Sequence, residues 1–184
     1  MTTDETRRHI QQTALELFAG QGYEKTSLRE IAERLGLTKA AVYYHFKAKE
    51  DILTVLFDEW IKPIEEVIEW GRAAPPGPAT KQEVLRRYHL ALARAGPLFR
   101  LFEASKAEMR DLAAGTAYRD TMIRVLALLT EDGAGLHEQI RCAGALLILH
   151  GAVNALDGIE GTPEEKHAAI LDVALGLLPA HARD

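Results

Sequence analysis

Apolar residues recur at helical spacing along nearly the whole chain, and no stretch shows the strict alternation of a half-buried strand. Near the N-terminus Ile10, Ala14, Leu17 and Phe18 form one stripe. Thr2-x-x-Glu5 opens it as a capping box, and Gly20 to Gly22 closes it. Leu28, Ile31, Ala32 and Leu35 repeat at i, i+3, i+4 and i+7 behind a second box, Ser27-Leu28-Arg29-Glu30. Gly36 stands where a left-handed C-cap is needed. Thr38 then caps a third helix, in which Val42 and Phe46 share one inward face. A fourth helix, from about Lys49 to Trp70, carries Ile52, Leu53, Leu56, Phe57, Trp60, Ile61, Ile64, Val67 and Ile68. That face is too long for a small N-terminal core, so the helix must join the core to the C-terminal part of the chain. Pro63 inside it removes the hydrogen bond to the carbonyl of Glu59, giving either a tolerated kink or a hinge that carries a signal toward helices two and three.

The rest of the chain continues in helices. Gly71 to Ala79 holds three of the seven prolines and reads as a loop. Thr80-Lys81-Gln82-Glu83 is expected to open a fifth helix through about Ala95. Gly96-Pro97 breaks it, and Pro97 suits the first turn of a sixth that runs to about Ala113. A seventh spans about Thr116 to Thr130. After the Gly133-Ala134-Gly135 turn an eighth runs to about Asp157. Thr162-Pro163-Glu164-Glu165 gives an N-cap, a proline at the first helical position and an acid at the third, so it starts a ninth, which Pro179 stops. The fold class is therefore all-α, about nine helices, without internal repeat or low-complexity tract.

The third helix has chemistry that its neighbours lack. Lys39 with Tyr43, and Ala40 with Tyr44, are i, i+4 pairs on faces other than that of Val42 and Phe46. With His45, and with Lys47 and Lys49 just beyond, this surface offers hydroxyl, imidazole and ammonium groups to phosphates and base edges, while Ala40 permits close approach. A helix, a tight glycine turn and a second helix form the unit used in major-groove recognition, although the same arrangement also occurs as a plain αα-hairpin.

Residues 4 to 53 resemble the DNA-binding domain of TetR-type (tetracycline-repressor-like) regulators. The matching pieces are Ala14-Leu15-Glu16-Leu17-Phe18, Gly22-Tyr23, Thr26 to Ala32, Leu35-Gly36-Leu37 and Val42-Tyr43-Tyr44-His45-Phe46-Lys47, continued by Lys49 and Leu53. One departure is Ala48, where the family places Ser, Asp or Asn to cap the next helix. The resemblance implies a three-helix helix-turn-helix domain over residues 1–48 and a helical ligand-binding and dimerisation domain over 49–184. It implies DNA contacts from Ser27, Arg29, Thr38, Lys39, Ala40, Tyr43, Tyr44, His45 and Lys49, the last expected on an exposed surface.

Net charge refines this picture. The chain carries −5 overall, yet its first 50 residues hold eight Lys and Arg against seven Asp and Glu, and the acidity lies in the remainder. DNA reading would thus depend on local rather than net charge. Cys142 is the single cysteine, which excludes an intramolecular disulfide and reads as a small buried apolar residue. The polar, charged start from Thr2 to Gln12 is no secretory leader. The 15-residue uncharged run from Cys142 to Leu156 is too short and, with His150 and Asn154, too polar to span a bilayer. A cytoplasmic protein without membrane contact is expected.

The eighth and ninth helices carry more apolar surface than one face of a monomer needs: Gly144, Gly151 and Ala155 among Leu146, Leu147, Ile148 and Leu149, then Ile170, Leu171, Ala174 and Leu178. In the family that these residues resemble, the last two long helices pair with their symmetry mates in a four-helix bundle, which implies a homodimer. For a ligand pocket the available residues are Trp60, Ile64, Tyr88, His89, Phe99 and Phe102, with Met109, Tyr118, Met122, His150 and Asn154. Most serve equally well as core, and His150 with Asn154 at i and i+4 can also be read as locally satisfied polar groups. Glu164-x-x-His167 matches half of a di-iron bundle motif but occurs once. No phosphate loop, paired-cysteine zinc pattern or nucleophile elbow is present, so no catalytic residue, metal or cofactor is expected.

The function expected is sequence-specific binding to a palindromic double-stranded operator by a homodimer. A small molecule in the C-terminal domain would release it by favouring a dimer whose recognition helices no longer match successive major grooves. The alternative is a helical enzyme or carrier that does not bind DNA.

Overall fold

The computed structural model describes residues 2–104, 112–155 and 159–179. Among them are eight α-helices and no strand: α1 Thr3–Gln21, α2 Leu28–Leu35, α3 Lys39–His45, α4 Lys49–Ala73, α5 Pro78–Ala104, α6 Ala113–Leu129, α7 Leu136–Ala155 and α8 Pro163–Leu177. The span α5 holds the expected fifth and sixth helices, separated by a kink at the expected position. Gly96, at φ 34° and ψ −101°, leaves helical geometry inside α5, a backbone region that a residue without a Cβ reaches at little cost.

The capping signals explain most boundaries. Thr2, Ser27 and Thr162 each accept a hydrogen bond from the backbone N–H three residues on, and Glu5, Glu30 and Glu165 reach back in return. The Thr80 box is the exception. The helix begins earlier, with Pro78 in its first turn, where its missing N–H costs nothing, and the Thr80 hydroxyl donates to the Pro75 carbonyl at 2.6 Å. Glu83, the would-be partner, bonds Arg87 instead. Ala48 has no capping side chain, but Asp51 supplies the acceptor from inside α4: its Oδ2 takes the N–H groups of Lys47 and Ala48, each at 2.9 Å.

The chain divides into two compact units, Met1–Ile61 with Ala95–Tyr118, and Lys62–Arg94 with Arg119–Asp184. These bounds differ from the division expected at residue 48, because the first half of α4 packs with the N-terminal helices. The first unit buries Ile10, Ala14, Phe18, Leu28, Ile31, Ala32, Val42 and Phe46 with Ile52, Leu53 and Leu56. Leu17 and Leu35, expected in that core, are half-buried at its edge. Trp60 also belongs here, 5.3 Å from Phe57, 5.5 Å from Tyr118 and 6.3 Å from Phe99 between ring centroids. Beyond it α4 passes into the other unit. That passage falls between Ile61 and Lys62, two residues before Pro63, and α5 crosses back between Arg94 and Ala95, beside Gly96.

The second unit buries Ile64, Val67 and Ile68 of α4, Val84, Leu85 and Tyr88 of α5, Val125 and Leu129 of α6, and Cys142, Ala145, Leu146 and Leu149 of α7. Cys142 sits in this core as expected, its thiol donating to the Leu129 carbonyl at 3.1 Å. Burial would pull the Lys81 ammonium down, but the carboxylates of Glu131 at 2.9 Å and Glu138 at 3.3 Å outweigh it and hold it above its ordinary value. That ammonium ties α5 to the turn before α7 and to the first turn of α7.

Candidate nucleic-acid interface

The turn between α2 and α3 is built from backbone. Gly36 takes φ 64° and ψ 25°, its N–H meets the carbonyls of Ala32 and Glu33, and Leu37 N–H bonds Ala32 O at 2.9 Å. Thr38 then caps α3, its hydroxyl accepting from Ala41 N–H at 3.2 Å. Seven residues are too few to hold a helix in water alone, so the orientation of α3 comes from tertiary contacts. Val42 and Phe46 are buried, and each contributes about 1.5–3 kcal/mol.

With that face inward, Lys39, Ala40, Tyr43 and Tyr44 are exposed and His45 half-exposed. Tyr44 is 72 % accessible, far more than a tyrosine needs for packing. The Lys39 ammonium lies 5.3 Å from the centre of the Tyr43 ring, and the Tyr44 and His45 rings meet edge-on at 5.2 Å. Ser27 and Arg29 open α2 on the exposed surface. Ser27 is engaged with Glu30, and Arg29 forms an exposed pair with Glu33 at 2.7 Å. A fully solvated surface pair of that kind is weak, so Arg29 can leave it for a phosphate.

Lys49 is not on an exposed surface. Its ammonium donates to the Tyr23 carbonyl at 2.9 Å, sits 3.5 Å from the Glu24 carbonyl and lies 4.2 Å above the Tyr23 ring, and its side chain is 19 % accessible. The α1–α2 turn exposes carbonyls that a cation at the start of α4 can satisfy, and that local demand takes the ammonium inward. Two further cations lie at the end of α3: Lys47, which the sequence places just beyond it, and Arg7, which no local pattern marks as a site residue. Lys47 Nζ donates to the Tyr43 carbonyl at 2.8 Å. The Arg7 guanidinium lies 4.5 Å over the Phe46 ring, with one nitrogen 3.4 Å from the His45 carbonyl. Both place positive charge at the C-terminal end of α3, where the helix dipole is negative.

The residues expected to line a ligand pocket belong to both units. Trp60, Phe99 and Tyr118 pack together in the first unit. In the second, the Tyr88 hydroxyl is 2.6 Å from His150 Nε2 and 3.2 Å from the Met122 sulfur, with Tyr88 fully buried and His150 nearly so. The His89 ring instead meets His167, and Ile64 is plain core. Met109 lies outside the described residues, as do the side chains of Phe102 and Asn154. Two grooves open on the second unit. One of about 210 Å³ runs past Pro63, Val67, Leu90 and Arg94, and one of about 570 Å³ lies along α7 and α8 past Ile148, Ala169 and Val173. Neither is lined by those candidates.

On α7, Leu136, Ile140, Leu147 and Gly151 form an exposed apolar row, and on α8 Ala169 and Val173 are exposed as well. Rows of this size are uncommon on a solitary domain. Among the described residues no helix is long and apolar enough to cross a membrane.

Residues 10–56 match the family model described as bacterial regulatory proteins, tetR family. The chain is 48 % identical over 54 residues to the HTH-type transcriptional regulator AcrR of Shigella flexneri, covering 29 % of this chain and 25 % of that protein. It is 33 % identical over 92 residues to the A-factor receptor protein of Streptomyces griseus, covering 50 % and 33 %. The matched segments span a quarter to under a half of the lengths of such relatives. Across nearly the whole fold, the crystal structure of the TetR family transcriptional regulator PfmR from Thermus thermophilus is similar at 27 % identity and a TM-score of 0.64, covering 91 % of this chain and 97 % of that one. Mycobacterium smegmatis AmtR shares the fold at a TM-score of 0.69 and 22 % identity, covering 97 % and 87 %.

Proposed function

We propose that this chain, which belongs to the TetR family, is a homodimeric transcriptional repressor that binds a palindromic operator and is released by a small molecule. The observation that carries the reading is the outer surface of α3. A seven-residue helix is held from behind by Val42, Phe46 and Arg7, and it turns Lys39, Ala40, Tyr43, Tyr44 and His45 to solvent. A helix so presented enters a major groove with its N-terminal residues at base edges, while Thr38, Ser27 and Arg29 reach phosphates on either side. Lys49 acts behind this surface as a brace rather than in the groove.

Two copies are needed, since a palindrome offers two half-sites about 34–36 Å apart. The exposed rows of α7 and α8 support pairing through those helices, and such interfaces bury roughly 2,000 Å² or more. The division of labour is residues 1–48 for DNA and 49–184 for ligand and dimer. The setting is cytoplasmic, and the activity is binding rather than catalysis.

The test is selection of preferred duplexes from a random pool, followed by affinity measurements on the selected and a scrambled site at several salt concentrations. The expected result is a selected palindrome bound at least a thousandfold more tightly than the scrambled site, with log affinity falling linearly against log salt. Equal binding to both, or none, would reject the reading.

A further inference from the structure

The Glu164-x-x-His167 pattern found no second copy in the sequence, but the fold gives His167 a different companion. His89 on α5 and His167 in the first turns of α8 lie in the same compact unit, their ring centroids 5.7 Å apart and their planes at 88°. With metal–nitrogen bonds of about 2.1 Å, and ring nitrogens roughly 1.1 Å from their centroid, two imidazoles on a tetrahedral ion have centroids about 5.2 Å apart. The observed separation exceeds this by about half an ångström. His167 is exposed and His89 half-buried, so the adjustment falls to the His167 side chain.

We propose that His89 and His167 form a two-imidazole site for a divalent transition-metal ion, Cu²⁺, Ni²⁺ or Zn²⁺, with water in the remaining positions. Imidazole suits these borderline ions, and affinity should follow the order in which Cu²⁺ exceeds Zn²⁺ and Ni²⁺. Among the described residues no third His, Cys, Asp or Glu joins the pair, so the site is open rather than caged and its affinity is modest. An ion there ties the first turns of α8 to α5. The site does not depend on DNA binding, and the experiment involves no DNA, so its failure leaves the operator reading intact.

The full-length protein is titrated with CuSO4, NiCl2 and ZnCl2 at neutral pH, alongside His89→Gln and His167→Gln. Calorimetry reads stoichiometry and affinity, and thermal melting is followed with and without EDTA. The expected outcome is one ion per chain, a melting temperature raised by metal and restored by EDTA, and affinity at least tenfold weaker in each variant. The Cu²⁺ electron paramagnetic resonance spectrum should show two coordinated nitrogens in the parent and one in His167→Gln. Because His167 is exposed, its variant keeps the fold and carries the test even if His89→Gln is unstable. Binding unchanged in His167→Gln would place the ion on other histidines such as His9, His45 or His137. That result, or no binding up to about 1 mM, overturns the proposal.

Discussion

Lys49 separates two roles that its position in the sequence leaves confounded, and Lys49→Met distinguishes them. Methionine keeps most of the aliphatic stem over Tyr23 and removes the ammonium. That ammonium donates to the Tyr23 carbonyl at 2.9 Å, approaches the Glu24 carbonyl at 3.5 Å and lies 4.2 Å above the Tyr23 ring. A hydrogen bond to a charged group contributes about 1.5–3 kcal/mol, and a partly desolvated cation–π contact about 1 kcal/mol. The Glu24 carboxylate at 3.9 Å is largely exposed and adds little. The Tyr23 carbonyl also accepts from Thr26 N–H at 3.2 Å, so the variant does not orphan it, and the lower end of the sum applies. The expected loss is about 2 kcal/mol, or about 4–8 °C in melting temperature for a chain of this size. Urea unfolding followed by circular dichroism measures the first quantity, and operator titration against salt measures the second. The salt slope should be unchanged, because the ammonium is not on the DNA surface. A stability loss below about 0.5 kcal/mol together with a slope smaller by about 0.9 would refute the brace and make Lys49 a phosphate ligand.

Four further outcomes are expected. Tyr43→Ala should weaken operator binding at least tenfold while leaving the urea midpoint within error, since Tyr43 is on the exposed face of α3. Arg7→Ala should also cost about tenfold in operator affinity, about 1.4 kcal/mol, but with an unchanged salt slope and a relaxed base preference, because it orients the end of α3 without touching DNA. A smaller slope would instead assign Arg7 to a phosphate. Gly151→Arg should yield a folded monomer in sedimentation analysis: a side chain there meets open space within one chain, so only a partner can object. A stable dimer would move the interface elsewhere. Pro63→Ala should restore a backbone donor in α4 and keep DNA and ligand binding while reducing their coupling, typically about 1–3 kcal/mol. An unchanged ratio of ligand affinities with and without operator would make the proline a tolerated kink.

What could be read from the sequence was whatever is decided within four or five residues. The boxes at Thr2, Ser27 and Thr162, the left-handed Gly36 and the inward pair Val42 and Phe46 all follow from local rules. The Thr80 box failed within that same range, because Pro78 offers a competing start and the same Thr-x-x-Glu spacing fits inside a first turn. The aromatic and methionine residues after Trp60 could not be sorted in advance. Nothing local distinguishes Phe99, which joins Trp60, from Tyr88, which joins His150.

The largest gap concerns charge. Of the eight Lys and Arg in the first 50 residues, Arg7, Lys47 and Lys49 serve main-chain carbonyls and Arg29 serves Glu33. The Lys49 and Arg7 contacts span 26 and 38 residues of sequence, beyond the reach of any periodicity or capping rule. A count of cations therefore overstates the positive charge offered to DNA, and the net +1 of this segment offers little compensation. If the proposed function holds, each half-site draws on the hydroxyls of Thr38, Tyr43 and Tyr44 and on Lys39 more than on a basic field. The salt slope per protomer should then fall well short of the roughly seven that eight phosphate contacts would give at about 0.9 each. A slope near seven would mean that the internal cations swing outward on DNA, and that the braces around α3 exist only in the free protein.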